Sequence, residues 1–326
     1  MTETGFSWFD RTNTPTQILR LDGRWAANDE TQLVEKVELL PSPAELARQH
    51  RLRVADERPA IGEYLRRLLR YRHFIVAYSN AKVDANFGAS VLGRLWQVLT
   101  PLTNAAIYYV VFGVVLGTRH GVTNFIAYLC TGLFIFGFTQ AAVLSGLKSI
   151  SGNLGLIRAL HFPRASLPLA ATLTHMQSLF FSVLVLLGIV AVTGERVTMR
   201  WLLVPPALLL QVLFNAGLVL IVARLGAKLA DLKQVAPFVM RTWMYGSGVF
   251  YSVEMFADHL PPAVAILTQM NPLLVYIELV RHALLPSAPL ASTPAQLWLV
   301  GAGWAALVLV FGFVYFWRGE REYGRG

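Results

Sequence analysis

Beyond residue 94 the chain alternates long apolar stretches with short polar ones. Residues 95–117, 122–147, 201–223 and 294–317 carry no Asp, Glu, Lys or Arg; residues 165–193 hold only His175 as an ionisable group, and residues 234–253 are interrupted by Arg241. A helix needs about 20 largely apolar residues to cross a bilayer, so the pattern predicts an all-α integral membrane protein with six transmembrane helices. Pro261 to Ile277 is also uncharged but contains Asn271-Pro272, a good N-cap followed by a good first helical residue. The spacing predicts a helix from Pro272 to about Leu285, the second of two re-entrant half-helices between spans 5 and 6 that enter the outer leaflet. An amphipathic helix lying on the outer surface is the alternative.

A different period precedes the first span. Tyr64, Leu68, Tyr71, Ile75 and Tyr78 step by four and three, which gathers them on one helical face over residues 61–82. Arg66, Arg67, Arg70 and Arg72 flank that stripe. A basic amphipathic helix beside a span is expected to lie in the headgroup plane; packing on a cytoplasmic partner is the plainer reading. The chain therefore divides into an N-terminal extension (1–60), an amphipathic interface helix with the approach to the first span (61–90), a six-span domain (91–318) and a short tail (319–326). The extension contains Pro15, Pro41, Pro43 and Pro59 among mixed charges and few large apolar residues. It is too thin to build a core alone.

Charge then orients the bundle. The chain is 55% hydrophobic and 14% charged, against about 25% charged in soluble domains. Residues 1–94 hold 14 of the 28 Lys/Arg and 12 of the 19 Asp/Glu, so the net charge of +9 is not a dense basic face for nucleic acid. Lys148, Arg158, Arg164, Arg224, Lys228, Lys233 and Arg241 fall on one side of the predicted bundle, and Arg119, Arg196, Arg200 and Arg281 on the other. The positive-inside rule then places both termini in the cytoplasm. The polar start lacks a cleavable leader pattern, so the first span is expected to insert itself into a bacterial inner (plasma) membrane. Cys130 is the lone cysteine, which excludes an internal disulfide or a thiolate metal cluster.

The chemistry of turnover is absent from the sequence. There is no G-x-x-x-x-G-K-[ST] loop, no H-E-x-x-H, no G-x-S-x-G and no acidic pair at the membrane face. The apolar segments contain no carboxylate of the kind that couples ion gradients to transport. Neither a catalytic residue, a metal site nor a cofactor is expected in this chain; energy for uphill movement would come from another subunit.

Three ordered motifs carry a resemblance. Ser90, Leu92, Gly93, Leu95 and Trp96 with Pro101-Leu102 resemble the run into the first span of ABC-2 type permeases that export polysaccharides. Gly152-Asn153, Leu156-Ile157, Phe162-Pro163-Arg164 and Leu167-Pro168-Leu169 resemble that family's loop between spans 2 and 3, and Asn271-Pro272-Leu273 with Glu278 and Arg281 resembles its outer-face element. Ala230-Asp231 stands where the family often has Arg-Asp. The resemblance implies two copies of this chain forming a pore, with two separate ATPase subunits that use ATP and Mg beneath it. It further implies a coupling helix containing Ser149, Asn153, Leu156, Ile157, Arg158 and Leu160, and a lipid-linked (polyprenyl pyrophosphate) polysaccharide such as O-antigen, teichoic acid or galactan as substrate. Tyr108, Tyr109, Trp243 and Tyr245 are candidate sugar-stacking faces, against ordinary packing or interfacial belts. Arg241 is a candidate partner for the pyrophosphate, against snorkelling to the inner headgroups. His175 reads as an interhelical hydrogen bond, and Glu278 with Arg281 and His282 as a structural pair shaping an exit. A permease for small drugs or lipids and a membrane-embedded polyprenyl-lipid enzyme are the competing functions.

Overall fold

The computed structural model describes residues 60–87, 93–115, 124–252, 268–320 and 323. Contacts divide the chain into Met1–Glu57 and Arg58–Gly326, and the described residues all belong to the second unit. Those residues are helical, without strands. Helices α1 (Ile61–Arg70) and α2 (Arg72–Phe87) run almost end to end, followed by α3 (Trp96–Tyr108), which continues as a π-helical turn over Tyr109–Val115. Then come α4 (Phe125–Lys148), the short α5 (Leu154–Ala159), α6 (Ser166–Val192), α7 (Val204–Lys228), α8 (Leu232–Tyr245), α9 (Pro272–Leu284) and α10 (Pro294–Arg318).

Four of the six predicted spans are helices long and apolar enough to cross a bilayer: α4, α6, α7 with its preceding turn, and α10. The other two are shorter. Helix α3 contains Pro101, which removes one backbone donor, and gives way to the wider π turn. Helix α8 has 14 residues, about 21 Å at 1.5 Å per residue, and stops at Gly246. The predicted fifth span therefore does not continue to Val253 as one helix; Gly248 adopts φ +61 just beyond it. The start predicted at Asn271-Pro272 is present, with Asn271 Oδ1 accepting from Leu273 N–H at 3.1 Å. Leu273 to Leu285 are almost entirely buried, so α9 is enclosed by protein instead of lying on a surface. The first predicted half-helix lies largely outside the described residues.

Helices α4, α7 and α10 form the tightest part of the bundle. Lipid tails supply no hydrophobic drive to bring apolar helices together, so close backbone packing and interhelical hydrogen bonds do so. A Cβ added at Gly217 would lie 2.3 Å from the Val308 carbonyl oxygen, and one at Gly312 would lie 2.2 Å from that of Gly217. Gly226 on α7 meets the Leu147 carbonyl of α4 just as closely, at 2.2 Å. Buried Gln211 adds a polar tie, donating from Nε2 to Ile135 O at 2.7 Å and Thr139 Oγ1 at 3.1 Å. Gly312→Val is expected to lower stability by at least about 2 kcal/mol in detergent thermal unfolding, because backbone cannot yield as a side chain can. Gly303→Ala, which opens into free space on the same helix, is expected to be neutral or mildly stabilising.

Candidate functional site

At the Lys/Arg-rich end of the bundle, α1 and α2 lie along the segment that joins α4 to α6. The aromatic stripe turns toward this segment: Tyr64 is 2% exposed and Leu68 7%. It packs with Ile150, Ile157, Leu167, Ala223 and Phe316 in a second apolar core apart from the main one. The stripe therefore faces protein, not headgroups. The apolar face left open on these helices is a different one, Ile61, Leu65, Leu69 and Val76. Arg66, Arg67 and Arg70 are exposed, Arg67 pairing with Glu63 at 2.6 Å.

Three tyrosines of the stripe, seven residues apart, each grip the joining segment by the hydroxyl. Tyr64 accepts from Ala165 N–H at 3.1 Å and donates to Glu320 Oε2 at 2.8 Å. Tyr71 donates to His161 O at 3.1 Å. Tyr78 donates to Asn153 Oδ1 at 2.6 Å, and Asn153 Nδ2 in turn donates to Ser149 O at 2.7 Å. Ser149 closes the end of α4 by donating to Gly146 O at 2.7 Å. Phe74 packs on Phe162 with ring centroids 5.0 Å apart. Lower down, Thr174 and Gln177 of α6 bond Ser79 of α2, and Gln177 also reaches Asn80.

The predicted coupling residues thus split by burial. Ser149 and Ile157 are buried, and Asn153 and Leu156 are partly covered. Gly152, Gly155, Arg158, Ala159 and Leu160 face outward, Leu160 being 51% exposed. The interface-helix and coupling residues, read separately from the sequence, form one junction.

Glu320 is the member that sequence reasoning passed over. It accepts from Arg164 N–H at 3.0 Å as well as from Tyr64, while Arg164 Nη1 donates to its backbone carbonyl. The signal was available: an acid directly behind the basic end of the last span. Burial raises its carboxyl above the usual range, although the Arg164 amide, the Tyr64 hydroxyl and the Arg164 charge pull the other way. The Tyr64 hydroxyl is pushed well above its ordinary value, by burial first and by Glu320 second.

The candidate substrate-path residues are more scattered. Arg241 and Tyr245 are exposed on α8, and Tyr109 is half-buried in the π turn. The Tyr108 side chain lies outside the described residues. Trp243 Nε1 donates to Asn271 Oδ1 at 3.0 Å, which makes its indole a tether between α8 and α9. On the far side of that tether, Arg281 is fully buried and donates to the carbonyls of Gly248, Val249 and Tyr128 at 2.9, 3.1 and 3.2 Å. Its guanidinium also lies over the Tyr128 ring, 3.3 Å from the centroid. Glu278 accepts from Ala291 N–H at 3.0 Å. Among the described residues no group of His, Cys, Asp and Glu is arranged to hold a metal ion.

Comparison with known proteins adds the family. Residues 77–285 match the family model described as ABC-2 type transporter. The O-antigen export system permease protein RfbA of Myxococcus xanthus is 25% identical over 209 residues, covering 64% of this chain and 79% of that protein. The Klebsiella pneumoniae protein of the same description is 26% identical over 185 residues, covering 56% and 71%.

Tyr64→Phe removes an acceptor from Ala165 N–H and a donor from Glu320 together, and is expected to cost about 1–3 kcal/mol in thermal unfolding. Tyr71→Phe, whose bond is exposed, is expected to cost well under that. Because the folded Glu320 carboxyl binds its proton more tightly than the unfolded one, its contribution is largest at low pH. It declines as pH rises from the ordinary carboxylate value toward the raised one. A stability-against-pH curve should show that decline, and Glu320→Gln should flatten it.

Proposed function

The chain belongs to the ABC-2 type transporter family, and from that premise we propose that it is the membrane-spanning subunit of an ATP-driven exporter of lipid-linked polysaccharide. The relatives named as O-antigen export permeases support the polysaccharide. The observation that carries the mechanism is the junction at the basic end. A short helix, pinned at its root by Asn153, Ser149 and Tyr78 and beyond its end by Tyr71 and Tyr64, presents Gly155, Arg158 and Leu160 outward.

On this reading the basic end faces the cytoplasm, and a separate ATPase subunit seats on the exposed tip of α5. When that subunit closes around ATP, the tip is displaced. The pinned root passes the displacement to α4, α6 and, through the tyrosines, to α1 and α2. Two copies of the chain would meet across the outward apolar faces of α3 and α8, where Leu102, Ile107, Phe238 and Tyr245 are exposed in the single subunit. Arg241 would then face the shared path, positioned to meet an anionic lipid pyrophosphate, with Tyr109 and Tyr245 available to stack on sugar rings. The substrate would travel from the cytoplasmic to the outer side.

Depleting the protein is expected to trap lipid-linked glycan on the cytoplasmic side; unchanged glycan at the cell surface would sink the reading. Leu160→Asp and Arg158→Glu are expected to reduce recovery of the ATPase with the tagged chain by roughly tenfold or more, as for a hot-spot contact, while membrane level and thermal stability stay near wild type.

A further inference from the structure

Helix α2 divides its polar side chains between two cavities. Tyr78, Lys82 and Asn86, spaced by four, line one of about 420 Å³ whose facing wall is the end of α4, including Ser145 and Lys148. Asn80 and Asp84 occupy the adjoining face and line a separate cavity against Gln177 and Phe180 of α6. The helix's acid is thereby turned away from its lysine. Among the described residues the first cavity carries no carboxylate, and neither lysine has an ion-pair partner within 4 Å. Lys82 is held over the Tyr78 ring, 5.5 Å from its centroid, the same ring whose hydroxyl grips Asn153. Two lysines lining a recess that carries no carboxylate among the described residues raise the local concentration of anions.

This recess does not end blindly. Ala141 and His175 belong both to it and to a second cavity of about 360 Å³ between α3, α4 and α6. That second chamber is lined by Trp96, Asn104, Gln140, Ser178 and Ser182 among apolar neighbours. An indole with amides and hydroxyls is the chemistry that holds a sugar ring. Paired cations, then an imidazole, then a sugar-compatible chamber follow the order of groups in a glycosyl pyrophosphate. None of these residues is among Tyr108, Tyr109, Arg241, Trp243 and Tyr245, the substrate-path candidates named from the sequence.

We propose that Lys82 and Lys148 bind the pyrophosphate of the lipid-linked glycan before transport, with His175 at the threshold and the first sugar in the chamber beyond. The site rests on the reading of a pyrophosphate-bearing substrate given above, and adds a loading position next to the coupling junction. Occupancy would be sensed through Tyr78 and Asn153, which wall the same recess.

The test is equilibrium binding to the full chain with its ATPase partner in phosphatidylcholine nanodiscs. The probes are geranylgeranyl pyrophosphate, geranylgeraniol and inorganic pyrophosphate. The pyrophosphate lipid is expected to bind more tightly than the alcohol, and Lys82→Gln or Lys148→Gln to weaken it about tenfold each. The Lys→Arg versions should retain binding, and Asp84→Asn, on the other face of α2, should leave it unchanged. Because both lysines are exposed, the Gln variants should assemble; if one does not, the comparison of Lys148→Arg with wild type at rising salt still reads the charge contact. If wild type prefers the pyrophosphate lipid but the Gln variants bind it equally well, this site is wrong and the substrate class stands. If wild type shows no preference over the alcohol, both fail. Inorganic pyrophosphate binding as tightly as the lipid would mark a free-anion site and overturn the loading role.

Discussion

Where water is absent, every backbone carbonyl and amide must find a partner inside the protein, and the place where this chain meets that constraint most openly is the end of α8. The helix stops at Gly246, and the turn that follows releases carbonyls with no helical partner. Two side chains of the same neighbouring element collect them. Asn271 donates to Gly246 O at 3.0 Å, and Arg281 takes Gly248 O and Val249 O together with Tyr128 O of α4. A fully buried guanidinium is costly unless its donors are used. Here Nη1 and Nη2 cap loose main chain while Nε has no hydrogen-bond partner among the described residues, and the Tyr128 face accommodates the charge. The break in α8, the burial of α9 and the position of α4 therefore depend on one another.

Around that centre the bundle separates into a stiff part and an open part. Backbone meets backbone where α7 crosses α10 at Gly217 and Gly312, and where α7 crosses α4 at Gly226. Arg224, which donates to Tyr315 O and stacks on its ring at 4.3 Å, locks α7 to α10 again at the basic end. Helices α3 and α8, by contrast, leave large apolar side chains exposed along much of their length. The division suits a subunit in which one half is a fixed frame and the other awaits a partner surface.

Much of this was written in local pattern. Four of the charge-free runs, 23 to 29 residues long, form helices of spanning length, and Asn271-Pro272 announced a helix start that capping geometry then required. The tyrosine stripe was equally legible as a face, but periodicity says only that side chains share a side, not what they meet. Stripe and loop contacts join residues 75 to 101 apart in the chain, and pairing Tyr78 with Asn153 needs tertiary information. Arg281 was read with Glu278 because they sit three apart on one helix. Its hydrogen bonds go to main-chain carbonyls, which carry no sequence signature. Lys148 counted only as an orientation signal; its place opposite Lys82 emerged once α2 was laid against α4 and α6.

The tyrosine contacts have a mechanical meaning of their own. Tyr64 and Tyr78 are 14 residues apart, about 21 Å along the nearly continuous α1 and α2; Tyr78 is fastened at its tip by one directional bond and Tyr64 by two. A rod riveted at both ends and in the middle resists bending, so a push delivered anywhere under the joining segment is shared along the rod's length instead of dying out locally. Fastened at three points along their length, α1 and α2 act as a splint for the joining segment.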